Sequence, residues 1–94
     1  MPTATFAEFE SAARAQGFDE VLVREWQPNQ VIDTHVHPFA VKALVVAGQF
    51  KLTEGEHSRM LHAGDSFELA RDTQHAEHYG PEGTTVWVAR RHAS

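Results

Sequence analysis

Val31-Ile32-Asp33-Thr34-His35-Val36-His37-Pro38-Phe39-Ala40-Val41-Lys42-Ala43-Leu44-Val45-Val46-Ala47-Gly48 decides how the 94-residue chain is read. Val31 to His37 has strand character, and side chains at i and i+2 of a strand share a face, so His35 and His37 are predicted to be neighbours on one side of a sheet. A helix would spread them apart. Val41 to Ala47 is apolar apart from Lys42, as expected of a strand buried on both faces, inside a sandwich or at a dimer contact. A third imidazole, His75, follows 38 residues after His37. Neutral imidazole is the commonest protein ligand for divalent transition metals. Three of them with water suit tetrahedral zinc, or iron, manganese, nickel or copper with open positions. The bland alternative is three imidazoles lining a polar barrel mouth, bonded to water and to one another.

Outward from this stretch the pattern stays short and β-like. Strands are predicted over Val21 to Trp26, Val31 to His37, Val41 to Val46, Gln49 to Thr53, Ser58 to Leu61, Ser66 to Leu69, His75 to Tyr79 and Thr84 to Arg91. The punctuation between them is Pro28-Asn29, Ala47-Gly48, Glu54-Gly55, Ala63-Gly64-Asp65, Arg71-Asp72 and Gly80-Pro81-Glu82-Gly83, rich in residues that tolerate positive φ. Eight short strands imply an all-β sandwich or barrel. Before them, Thr5-Phe6-Ala7-Glu8 is a capping-box sequence. Phe6, Phe9 and Ala13 then recur at helical spacing, predicting one amphipathic helix over Phe6 to Gln16 with Gly17 as its stop. The expected organisation is a single domain over 1–94, with a helical segment at 1–17 and a barrel over 18–91.

Composition narrows the function. Eight Lys and Arg against thirteen Asp and Glu leave a net charge of −5, and Arg90-Arg91 is the only basic pair, so a nucleic-acid partner is not expected. No apolar run reaches a membrane span. With no cysteine, disulfides and thiolate chemistry are excluded, and a metal must use His, carboxylate or water. Met1 to Glu10 has neither a basic n-region nor an apolar h-region, so cytoplasmic residence is the expectation. No Ser-His-Asp set can be placed.

Two spaced motifs carry a family resemblance. Asn29, His35-Val36-His37-Pro38, Val41 and Gly48 follow the pattern Gly, five residues, His-x-His, three or four residues, Glu, six residues, Gly. Gly64-Asp65, Ala70-Arg71-Asp72, His75 and Tyr79 keep the outer spacings of the pattern Gly, five residues, Pro-x-Gly, two residues, His, three residues, Asn, with the inner Pro and Gly replaced. In these the chain resembles a small single-domain cupin of the cupin 2 conserved-barrel type, over roughly Val21 to Arg90. The resemblance implies an all-β double-stranded β-helix, or jelly-roll barrel, with one short N-terminal α-helix. It implies metal ligation by His35, His37 and His75. Val41 stands at the motif's Glu and cannot ligate, while Asn29 for Gly is mild because Asn tolerates the left-handed turn.

Strand parity places Glu77 on the face of His75, able to reach a metal directly or through water, and turns Lys42 away from the side of Val41. The same parity places Asp33 with His35, as a partner for an imidazole N–H or as a solvated turn residue. Glu77, Tyr79 and His78 are the candidates for proton transfer. His78 has the wrong parity to join His75, and His57 and His62 read as loop residues, with His92 a weaker claim still. Trp26, Phe39, Phe50, Phe67, Tyr79 and Trp87 are expected in the core or the cavity wall.

Two functions fit. One is a metalloenzyme, dioxygenase-like or isomerase-like, using a divalent transition metal (Fe, Mn, Ni, Zn or Cu) on a small molecule. The other is a non-catalytic small-ligand-binding or sensor module. A homodimer is expected in either case, because a small barrel exposes sheet edges.

Overall fold

The computed structural model describes residues 5–92. Helix α1 (Phe6–Ala15) is followed by β1 (Glu20–Trp26), β2 (Val31–His35), β3 (Ala40–Ala47), β4 (Gln49–Glu54), β5 (His57–His62), β6 (Ser66–Leu69), β7 (His75–Tyr79) and β8 (Thr84–Arg91). The strands form two four-stranded sheets, β1-β8-β3-β6 and β2-β7-β4-β5, with every recorded pairing antiparallel. Their inner faces meet over Val41, Ala43, Val45, Phe50, Leu52, Leu61, Leu69, Tyr79 and Val86. Removing each large side chain of this set from water contributes roughly 1.5–3 kcal/mol.

Turn chemistry follows the sequence. Asn29 has φ 60° and Asp72 φ 63°, so both take the left-handed conformation expected of their turns. The Thr5 hydroxyl accepts from the Glu8 backbone N–H at 3.1 Å, and the Glu8 carboxylate accepts from the Thr5 N–H at 2.9 Å, closing the capping box. The helix ends one residue earlier than expected, at Ala15, with Gly17 at φ 97° after it.

Four expectations are corrected. Strand β2 stops at His35, so His37 lies in the loop before β3. β3 is buried on its inner face only, where Val41, Ala43 and Val45 alternate with half-buried Lys42, Leu44 and Val46. The outer face of this sheet carries a second apolar layer. Phe6 and Phe9 of α1 meet Trp87 at 5.6 and 6.0 Å between ring centroids, and Ala13 and Phe18 close over Ala89. Trp87 therefore packs under the helix, outside the barrel. His57 and His62 are the exposed ends of β5, not loop residues. As expected, Lys42 points away from Val41, and its ammonium donates to the Gln16 side chain at 2.6 Å. Among the described residues no helix is long and apolar enough to cross a membrane.

The tightest backbone approach is at Gly48, where φ is 79° and a Cβ would collide with the Gly83 carbonyl oxygen, whereas Gly55, at φ 61°, faces open space. Gly48→Ala should therefore destabilise the fold by about 3 kcal/mol or more, combining left-handed strain with a backbone clash, and Gly55→Ala by only about 1 kcal/mol. Urea unfolding of the two variants checks this; equal costs would contradict it.

Candidate metal centre

Three imidazoles converge at one end of the barrel. The ladder between β2 and β7 pairs Ile32 with Glu77 and then His35 with His75, so β2 spends three residues where β7 spends two. This bulge changes parity along β2. Ile32 and His35 both line the inner cavity, while Asp33 and Thr34 turn to an outer groove. Strict alternation had placed Asp33 with His35, and the bulge corrects that reading. What Asp33 supplies is its backbone: its carbonyl oxygen lies 2.7 Å from His35 Nδ1. The same device recurs at His75, whose Nδ1 lies 2.9 Å from the Thr73 carbonyl.

A carbonyl only accepts, so both Nδ1 atoms carry the proton and both Nε2 atoms present a lone pair to the cavity. His37 is aimed differently. Its ring stacks on Phe39 at 4.8 Å and 12°, which puts its Nε2 3.1 Å from His35 Nε2. One ligand nitrogen from each of His35, His37 and His75 lies within 4.8 Å of the other two. Ligand nitrogens about 2.0–2.1 Å from a shared ion stand roughly 3–3.4 Å apart, so the 3.1 Å pair already has that spacing.

Glu77 stands on the His75 face, as parity predicts. Its Oε2 lies 3.7 Å from His35 Nε2 and is buried without a hydrogen-bond partner. Its Oε1 accepts from the Tyr79 hydroxyl at 3.3 Å. Tyr79 is stacked between Trp26 (4.8 Å) and Phe50 (4.9 Å), and burial, reinforced by the adjacent Glu77, pushes its phenol well above the ordinary range. Tyr79 thus keeps its proton. His78 is exposed on the opposite face, and His92 is tied to Glu20 at 2.9 Å. The cavity enclosed by these groups measures about 290 Å³.

Sequence reading passed over Arg24 and Arg90, which line the same cavity. The signal was there: Arg24 shares strand parity with Trp26, and Arg90 with Val86 and Val88.

Desolvation, with the positive fields of neighbouring groups behind it, lowers His37 from its ordinary 6.5 to about 4, so it is neutral at pH 7. The unfolded chain protonates at His37 below about 6.5 and the fold only near 4. Stability of the metal-free protein should fall as pH drops through that window. The loss is of order 1 kcal/mol, discounted because the ring is half-exposed. Urea titrations between pH 7 and 4.5 should show a shallower slope in His37→Asn; identical slopes would contradict the assignment.

No family model matches the chain, and no curated protein does. Solved structures match at the level of fold. The cupin domain of Schizosaccharomyces pombe Cnp3 has a TM-score of 0.71 at 12% identity, over 79% of this chain and 56% of that one. A conserved Klebsiella pneumoniae protein with a double-stranded β-helix domain has a TM-score of 0.69 at 24% identity, over 80% and 68%. A structure from work on the DMSP lyases RdDddP and RnDddQII has a TM-score of 0.69 at 22% identity, over 76% and 37%. The chain spans little more than half the length of the first of these and far less of the last. Two antiparallel four-stranded sheets, closed over a histidine-lined cavity and similar to these domains, give this chain the cupin fold, a double-stranded β-helix.

Proposed function

We propose that the protein is a metal-dependent cupin enzyme acting on a small molecule, with His35, His37 and His75 as the metal ligands. The observation that carries this reading is the pairing of two Nδ1–H groups with backbone carbonyls. That arrangement fixes the tautomer a metal needs and orients the rings before any ion arrives. The buried, unpartnered Oε2 of Glu77 beside His35 is a second mark of fit, since a buried carboxylate oxygen without a donor is costly unless a cation or a proton donor sits next to it. A divalent transition ion held there would supply Lewis acidity toward a bound carbonyl, enolate or oxygen molecule, and iron, manganese or copper would add redox capacity.

The chain's own groups divide the remaining work. Glu77 accepts a proton from the ligand at Oε2 and can return it. The Tyr79 hydroxyl holds Oε1, fixing the carboxylate rotamer without titrating. Phe50, Val86, Val88 and Leu69 keep the cavity apolar, which strengthens every charge interaction inside it. A homodimer belongs to the same proposal. It is supported by Val23, exposed at 48%, in register through Trp87 with half-buried Leu44 on the outer face.

Metal analysis after loading with zinc or cobalt(II), on protein purified without a chelating tag, tests the centre. Wild type should hold about one ion per chain, as should His57→Ala and His92→Ala. His35→Ala, His37→Ala and His75→Ala should each lose most of it. Glu77→Gln should keep the ion, and its loss there would make Glu77 a ligand. Equal uptake in all five histidine variants would overturn the assignment, and metal-free wild type that takes up none would favour a ligand-binding barrel without turnover.

A further inference from the structure

Two guanidinium groups stand on the inner wall of a cavity that is otherwise largely apolar, and the metal reading makes no use of them. Arg24 Cζ lies 4.7 Å from the Trp26 ring centroid. No carboxylate among the described residues pairs with Arg24. Arg90 Cζ lies 4.9 Å from the Phe39 centroid. Its Nη1 makes a 3.4 Å contact with Glu20, whose same oxygen is held more closely by His92 at 2.9 Å. Its Nε is buried with no partner at all. A buried donor left without an acceptor is costly, so the Arg90 Nε is poised for an acceptor that the described residues do not provide.

We infer that the cavity binds a small carboxylate, its anionic group held by Arg24 and Arg90 and its apolar body against Trp26, Val86 and Val88. The inference deepens the reading of this cavity as a small-molecule site and is independent of the metal. A guanidinium fork matches the planar carboxylate in shape and charge, and an aromatic ring beneath each fork orients it beforehand. Charge is segregated across the cavity. The cations come from β1 and β8 on one sheet, and Glu77 with His35 and His75 from β7 and β2 on the other. A ligand bridging the two walls meets positive charge at one end and a proton acceptor at the other. Apart from the histidines, the charged lining residues are Arg24, Arg90 and Glu77; Glu20 reaches Arg90 from outside the cavity, and Arg24 has no carboxylate partner among the described residues, which suits a monoanion. A cavity of about 290 Å³ lies at the small end of ligand sites.

Isothermal titration with benzoate, its uncharged counterpart benzamide and inorganic phosphate tests this on metal-free and zinc-loaded protein. The variants are Arg24→Gln, Arg90→Gln and the surface control Arg59→Gln. Benzoate should saturate metal-free wild type and Arg59→Gln, and bind about tenfold or more weakly to each of the other two, the loss expected for a charged hydrogen bond. Benzamide and phosphate should bind at least about tenfold more weakly than benzoate. Arg24 makes no ion pair among the described residues, so Arg24→Gln keeps the test sound if Arg90→Gln fails to fold. Equal binding of benzoate and benzamide, undiminished binding by Arg24→Gln, or no benzoate binding to metal-free wild type overturns the inference. Tighter binding of phosphate overturns the choice of carboxylate. Arginine-dependent benzoate binding in protein that takes up no zinc upholds the inference and sinks the metal reading. Benzoate binding that needs zinc and ignores both arginines does the reverse.

Discussion

Everything at the candidate site depends on the extra residue that β2 carries between Ile32 and His35. Without the bulge, His35 would sit one step out of phase with Ile32, and only one of the two could face the cavity. With it, Ile32 seals the apolar interior while His35 pairs with His75 across the ladder, bringing their ring centroids to 4.2 Å. The Asp33 carbonyl within this bulge lies 2.7 Å from His35 Nδ1. A bulge weakens a ladder locally, and here the exchange is for two imidazoles with fixed tautomers at one end of a rigid barrel.

The barrel itself was legible because each strand announces its ends. Glycine, asparagine or aspartate with positive φ stands in most of the turns between strands, and β-branched and aromatic runs lie between them. Seven of the eight strand ranges agree with the sequence reading to within one residue at each end. The one larger departure, at β2, and the addition of His62 to β5 have physical causes. β2 loses Val36 and His37, which lead into Pro38, a residue with no N–H to offer a ladder. His62 extends β5 because Asp65 accepts from its backbone N–H at 2.8 Å, a side-chain contact that a propensity pattern does not carry.

The site was legible in its residue types and less so in its geometry. His35, His37 and His75 do meet, yet the reason given from parity holds only for His75 and Glu77, which stand on a regular strand. His37 arrives from a loop, aimed by its stack on Phe39. Arg24 and Arg90 were hidden by a different effect. Single charged residues in strands read as solvent-facing, and their parity with Trp26, Val86 and Val88, the signal that was present, does not reveal that an aromatic ring will sit beneath each one.

Val41 ties these strands of argument together. On the motif pattern it occupies the position of an acidic ligand, and in the fold it faces the cavity directly across the ladder from Arg90. A carboxylate at 41 would lie beside that guanidinium, neutralise it and fill the space in front of the histidines. Valine leaves the space apolar and the Arg90 Nε without a partner. The cavity's carboxylate stands on the other sheet, as Glu77, where the Tyr79 hydroxyl holds it and its second oxygen faces His35. The cavity thus carries an unpartnered Arg90 Nε on one wall and an unpartnered Glu77 Oε2 on the other. A barrel that had only to bind a structural ion would gain nothing from that imbalance, whereas one that must draw in an anionic molecule and move a proton on it would use both.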